Sequence, residues 1–229
     1  MEKIKVALRM RPFSKKEIYE RHERGWNMNL ENNLTTADKP QYYSKPFIFD
    51  YCFNEKHKNE VVYQTCCKDI VLSAMDGINT TLFVYGQTGA GKTHTMLGPP
   101  DETIEQRYTG VIFQALEDVF AKVKTSQDEK FYFTCSYIEI YNEMIYDLLS
   151  KADRLNDHLM IYEDVANQRF KIKNQTKVRI ESLSDILKIL TYGEQNRKYA
   201  ETYFNHKSSR SHTIFSVYIQ NIKVKQKIN

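Results

Sequence analysis

Residues 80–85, TTLFVY, form a β-rich apolar run that leads straight into GQTGAGKTHTM, residues 86–96, where three glycines and a lysine stand in one short stretch. A strand, a glycine loop and a following helix-like segment predict an α/β arrangement. Residues 86–93 match G-x-x-x-x-G-K-[ST], and each fixed position has a mechanical reason. Glycines let the backbone wrap tightly and turn its N–H groups inward around phosphate oxygens. Lys92 has the reach for β- and γ-phosphates, and the Thr93 hydroxyl is suited to Mg²⁺. With glycine at about 7% of residues, a chance match in a chain this long is on the order of one in a hundred. A glycine-rich turn with a purely structural role is the alternative.

The chain has 229 residues, 41% hydrophobic and 27% charged, which suits one domain or part of one. No apolar run approaches the roughly 18 residues of a membrane span, and the charged opening MEKIKVALRMRPF carries no export signal, so an intracellular chain is expected. Cys52, Cys66, Cys67 and Cys135 show neither metal-ligand nor disulfide spacing and read as reduced, small buried side chains. The net charge of +4 does not by itself demand a polyanionic partner, and neither nucleic acid nor membrane is expected.

Along the chain, Ile4, Val6 and Leu8 alternate with Lys5, Ala7 and Arg9 as in a strand, ending at Pro12. Residues 13–46 are polar without regular pattern, and FIFDYCF, residues 47–53, predicts a short aromatic strand. Residues 59–75 predict a helix with Val62, Cys66, Ile70 and Ala74 on one face, stopped at Gly77. A second helix is predicted from Ser182, with Asp185 in capping-box spacing, followed by a strand over TIFSVYI, residues 213–219. Between them NHKSSRSH, residues 205–212, reads either as a solvated loop or as hydroxyls and an arginine able to close over Mg²⁺ and a γ-phosphate. Residues 169–180, RFKIKNQTKVRI, predict a hairpin turning at Asn174 with five basic side chains, Arg169, Lys171, Lys173, Lys177 and Arg179.

These motifs together resemble the kinesin motor domain. GQTGAGKTHTM is similar to its P-loop, NHKSSRSH to its first switch, and RMRP, residues 9–12, to its R-x-R-P motif. FIFDYCF and SYIEIYNEMIYDLL, residues 136–149, resemble two further signatures, all in family order. The resemblance implies a P-loop NTPase fold with a mixed central sheet flanked by helices, and ATP and Mg²⁺ as ligands. It implies that Arg9, Arg11, Pro12 and His94 flank adenine and ribose. Gly86, Gln87, Thr88, Gly89, Ala90, Gly91, Lys92 and Thr93 would hold the phosphates. Asn205 and Ser208 would stand near the γ-phosphate, Ser209 with Thr93 near Mg²⁺, and Arg210 would pair with a glutamate of a second switch. Asp50 is structural in this reading. The partner implied is the microtubule, with the basic segment 169–180 as candidate contact and a cytoplasmic, cytoskeletal location. Phe113 and Thr80 depart from the family's usual Pro and Gly.

The family's second switch, D-x-x-G-S-E, has no counterpart: no aspartate has a glycine three residues on. Residues 1–229 are therefore expected to be an N-terminal portion of a motor domain, C-terminally incomplete, truncated before that switch. The strands that the family carries beside its P-loop strand would be missing. The expected function is the ATP-binding part of a microtubule-based motor, with this chain alone deficient in hydrolysis. The alternative is a non-motile module holding nucleotide or tubulin without turnover.

Overall fold

The computed structural model describes residues 4–38, 45–99, 109–125, 129–151, 158–203 and 211–223. It divides into two compact units, Met1–Asp118 and Val119–Asn229.

In the first unit, strand β1 (Ala7–Arg9) is followed by helix α1 (Lys15–Tyr19). Ser14 caps α1, its Oγ accepting from the Glu17 N–H, while the Glu17 carboxylate accepts from the Ser14 N–H at 2.7 Å. This reciprocal capping box satisfies two otherwise orphaned donors. Strands β2 (Trp26–Asn29) and β3 (Leu34–Ala37) pair antiparallel, and β4 (Phe47–Ile48) adds to β3. The described residues between 13 and 46 therefore hold more order than their polar pattern predicts. The FIFDYCF segment is not one strand: β4 serves that sheet, and β5 (Tyr51–Phe53) pairs in parallel with β1. Asp50 sits at the changeover, its carboxylate accepting from the Val6 N–H at 2.8 Å and its own N–H donating to the Val6 carbonyl at 3.0 Å.

The helix predicted over residues 59–75 runs as α2 (Asn59–Val62), a π-turn (Tyr63–Cys67), α3 (Lys68–Ser73) and a 3-10 turn (Ala74–Asp76). A π-turn closes i→i+5 bonds and so accommodates an extra residue. Its effect is to slide the buried stripe by one position, from the expected Val62, Cys66, Ile70 and Ala74 to Tyr63, Cys67, Val71 and Met75, with Val62 also buried. Tyr63 is enclosed and donates to Asp118 at 2.8 Å; burial, then that carboxylate, pushes its phenol up. Gly77 ends the element at φ 88°, a conformation that favours glycine.

The strand predicted over residues 80–85 does not form a ladder: no described strand pairs with it, and Phe83 and Tyr85 are 79% and 95% exposed. An extended segment becomes a strand only when a neighbour takes up its N–H and C=O groups. Helix α4 (Lys92–Leu97) follows the glycine loop, and α5 (Val111–Thr125) contains the boundary between the units. Phe113, the departure from the family's proline, is buried. Gly110 approaches the end of α4 so closely that an added Cβ would fall 2.4 Å from the Leu97 carbonyl carbon.

The second unit is built on β6 (Glu129–Tyr141), which turns through Asn142 and Glu143, at φ 50° and 63°, into β7 (Met144–Asp147). Positive φ at both central residues is the mark of a type I′ hairpin turn. Strands β8 (Ile161–Asp164) and β9 (Arg169–Ile172) form a separate antiparallel pair. Strand β10 (Val178–Ile180) joins β6, helix α6 (Leu183–Tyr203) follows, and β11 (His212–Lys223) pairs with β6 on its other edge along its whole length. The predicted start of α6 is present: the Ser182 N–H donates to Asp185 at 3.0 Å and the Asp185 N–H to the Ser182 hydroxyl at 3.3 Å.

The hairpin predicted over residues 169–180 is overturned. Asn174 does turn, at φ 58°, but β9 pairs back to β8 and β10 forward to β6. Ile180 explains the split, since it lies opposite Phe133 and is buried in the unit's core, whereas Phe170 is 76% exposed.

Helix α6 lies against β6 at Gly193, where a Cβ would stand 2.4 Å from a Tyr137 ring carbon. Around that contact Tyr137 donates to Glu194 at 2.5 Å and the Asn196 amide donates to the Leu148 carbonyl at 2.8 Å. A methyl at Gly193 forces the helix off the sheet, so Gly193→Ala is expected to cost about 1–3 kcal/mol. Urea unfolding followed by far-ultraviolet circular dichroism, with hydrogen exchange on β6, checks this; unchanged protection in β6 would contradict the close approach.

Candidate functional site

The glycine loop is a turn closed by its own lysine. Ala90 N–H donates to the Gln87 carbonyl at 3.1 Å, and the Lys92 ammonium donates to the carbonyls of Gly86 and Gln87 at 2.7 and 2.9 Å. An ammonium has three donors, so this bracing uses two and leaves one for an anion. Gly91 is the N-cap of α4 at φ 91°, and Gly89 stands at φ 81°. Open space surrounds Gly89, so what excludes a side chain there is backbone conformation rather than crowding. Thr93 is exposed in the first turn of α4, next to Lys92.

The R-x-R-P segment splits its duties. Arg9 is half-buried and serves the scaffold: its guanidinium donates to Asn59 Oδ1 at 2.5 Å, to Thr95 Oγ1 at 2.8 Å and to the His57 carbonyl at 3.1 Å. Burial lowers its pKa, but arginine remains charged. The Asn59 amide in turn donates to the His94 carbonyl at 2.8 Å. The end of β1, the start of α2 and α4 are thereby locked together. Arg11 faces the other way, forming a two-pronged ion pair with Glu17 at 2.6 and 2.7 Å. Hydrogen bonds from Arg11, then from Ser14, hold the Glu17 carboxyl far below the usual carboxylate range. A Cβ at Gly91 would lie 4.0 Å from the Arg11 Cβ, so this segment abuts the glycine loop directly.

A cavity of about 350 Å³ opens here, lined by Arg9, Met10, Arg11, Phe13, Glu17, Glu23, Arg24, Gly25, Trp26, Gln87 and Ala90. Of the predicted adenine-side residues, Arg9 and Arg11 line it and Pro12 and His94 do not. The residues 23–26 wall was missed in the sequence, where nothing distinguished it from a polar loop. Arg24 holds it by pairing with Glu55 at 2.7 Å and lying 5.6 Å over the Phe13 ring. Glu17 was missed too, although Ser14 and Glu17 spell a capping box. Asn59 and Thr95 carried no signal.

Asn205, Ser208, Ser209 and Arg210 lie outside the described residues. The five basic residues of 169–180 do not form one row. Lys171 pairs with Asp164 and Arg179 with Glu181, while Lys177 stands 3.9 Å over the Tyr218 ring. Arg169 and Lys173 are exposed.

An α/β chain whose lysine-closed glycine loop borders a cavity beside a helix start belongs to the P-loop NTPase class. The family model described as kinesin motor domain matches residues 9–229. The chain is 37% identical over 219 residues to human (Homo sapiens) centromere-associated protein E, covering 95% of this chain and 8% of that protein. It is 36% identical over 225 residues to kinesin-like protein KIN-7N of Arabidopsis thaliana, covering 96% and 25%. It is 34% identical over 226 residues to kinesin-like protein KIF15 of Mus musculus, covering 96% and 16%. The chain belongs to the kinesin motor domain family, and it spans between 8% and 25% of the length of these relatives.

The Arg9 network makes a specific demand. Removing the guanidinium strands three part-buried acceptors on two segments, so Arg9→Ala is expected to destabilise the first unit by about 2–3 kcal/mol. Trp26, the single tryptophan, reports urea unfolding of this unit, and the amides of Thr95 and Gly98 are expected to exchange faster. Wild-type protection of those amides in the variant would contradict a scaffold role.

Proposed function

We propose that this chain is the ATP-binding part of a microtubule-based motor, one that couples ATP hydrolysis to movement along microtubules or to their remodelling. The observation that carries the reading is the cavity: Arg9 and Arg11 of R-x-R-P and Gln87 and Ala90 of the glycine loop, distant in sequence, line one space. Base and ribose enter beside Arg11 and the 23–26 wall. The phosphates lie along the glycine loop, where Lys92 supplies charge and Thr88 and the loop N–H groups supply donors. His94 and Pro12 contribute from the rim.

Mg²⁺ fits the donor set. Thr93 offers one hydroxyl beside a cationic loop, and Mg²⁺ takes most of its ligands from phosphate and water rather than from a protein cage. When bound it would neutralise charge on the β- and γ-phosphates. Ser209 would be the second protein ligand; Asn205 and Ser208 would meet the γ-phosphate, and Arg210 would await an acidic partner.

Hydrolysis needs a group that positions the attacking water and senses the γ-phosphate. These 229 residues contain no D-x-x-G, so we propose that they bind nucleotide without efficient turnover. This same feature favours, for the chain taken alone, a role as a binding module. For the microtubule contact, the β8–β9 hairpin with Arg169, Lys171 and Lys173 is our candidate, joined by Lys177 and Arg179. Positive charge there would suit an acidic polymer surface in a salt-sensitive manner. That activity would place the protein on the cytoskeleton in the cytoplasm.

Trp26 lines the cavity, so its fluorescence is expected to change saturably with MgATP. Lys92→Ala is expected to weaken that binding about tenfold or more, through loss of a charge-assisted contact to phosphate. Phosphate release is expected to stay at background with or without microtubules. Turnover that Lys92→Ala abolishes would overturn the deficiency; absence of a saturable ATP response would overturn the binding reading itself.

A further inference from the structure

Cys66 and Cys67 lie in the π-turn between α2 and α3, away from the nucleotide cavity's lining, and neither takes part in the function proposed above. Consecutive side chains on a regular α-helix diverge by about 100° and do not face each other. Here they converge. The two sulfurs are 3.6 Å apart, with Cys67 displaced from helical values to φ −110° and ψ −36°. Cys66 is partly exposed and hydrogen-bonded through its thiol to the Val62 carbonyl at 3.1 Å; Cys67 is buried.

The separation decides what the pair can hold. A disulfide requires sulfurs about 2.05 Å apart and Cα atoms usually 4.4–6.8 Å apart, whereas neighbours across a trans peptide are fixed near 3.8 Å. Closing that bond would tear the helix. A single soft atom bound by two thiolates makes no such demand. Bonds of about 2.3 Å leave two sulfurs about 3.3–3.8 Å apart as the angle between them widens from that of a pyramidal centre to that of a tetrahedral one, a span that includes the spacing already present. A divalent cation such as zinc would need further protein ligands, and no group of three or more His, Cys, Asp or Glu suited to a metal occurs among the described residues. A trivalent arsenic that already carries one organic group needs two sulfurs and nothing else.

We propose that Cys66 and Cys67 form a vicinal dithiol site that captures monosubstituted trivalent arsenicals. The reaction is R–As(OH)₂ + 2 protein–SH → R–As(S–protein)₂ + 2 H₂O. Two As–S bonds form and two As–O bonds break, each thiol proton leaves in water, and neither arsenic nor sulfur changes oxidation state. Cys66 attacks first. It is the more accessible sulfur, and the hydrogen bond from Cys67, assisted by the charge of Lys5, holds its thiol below the usual range. Cys67, whose thiol the same contact and burial push up, closes the ring.

The test uses phenylarsine oxide at one equivalent on the native 229-residue chain, then excess glutathione, with intact-mass and peptide mapping. The expected result is one phenylarsenic group per chain on the peptide holding Cys66 and Cys67, stable to glutathione and released by a dithiol. Cys66→Ser and Cys67→Ser are each expected to lower the glutathione-resistant adduct at least tenfold. The double variant Cys52→Ser, Cys135→Ser is expected to keep it in full and supplies a readout should the helix variants misfold. Dilute peroxide is expected to leave no Cys66–Cys67 disulfide in the folded chain. An adduct mapping elsewhere, an adduct retained by either helix variant, or a native chain without one would overturn the site, and none of these outcomes bears on ATP binding.

Discussion

One guanidinium organises the first unit. Arg9 ends strand β1, and from there its donors reach the side chain that begins α2, the carbonyl just before it, and a threonine one turn into α4. Asn59 passes the restraint on to the His94 carbonyl. Hydrogen bonds from a charged donor are the stronger kind, and each here ends on a part-buried acceptor that has lost much of its water. The consequence reaches the site: α4 follows the glycine loop directly, so fixing α4 fixes the loop's exit and with it Lys92. Arg11, two residues on, is left to border the cavity with its charge held by Glu17.

Electrostatic pairing sets the cavity's shape as much as its sign. Arg11 with Glu17 and Arg24 with Glu55 are two-pronged pairs whose arginines both line the cavity, and each holds a short polar element in place. Helix α1, five residues long, would be marginal by itself. Its capping box and its bond to Arg11 use the same carboxylate, so Glu17 both starts the helix and orients the arginine.

The residues that were legible in advance are those whose chemistry is local. The glycine loop, the stop at Gly77, the capping box at Ser182 and the turn at Asn174 are each written within a few positions. What could not be read depends on partners far along the chain. Nothing in RFKIKNQTKVRI says that its two halves belong to different sheets; the choice follows from β8 and β6 competing for them and from Ile180 reaching the core. The π-turn is a similar case, because a one-residue slip keeps the helical period and changes only which residues face inward. The four residues of the loop at 205–210 expected to meet phosphate, metal and switch lie outside the described residues.

The run ahead of the glycine loop makes the dependence on partners plainest. TTLFVY has the composition of a central strand, yet propensity of this kind expresses fit to neighbours on a pleated surface rather than a backbone preference. With no described strand alongside, it joins no ladder and exposes Phe83 and Tyr85, while the loop that follows keeps its turn and its lysine bracing. The loop's geometry is therefore carried from its far side, by α4, Asn59 and Arg9, together with the bonds from Lys92 back to Gly86 and Gln87. Holding an anion asks only for that. Passing the state of the anion to another surface asks for a rigid strand on the near side as well, and a ladder on both edges of residues 80–85 is the physical requirement for it.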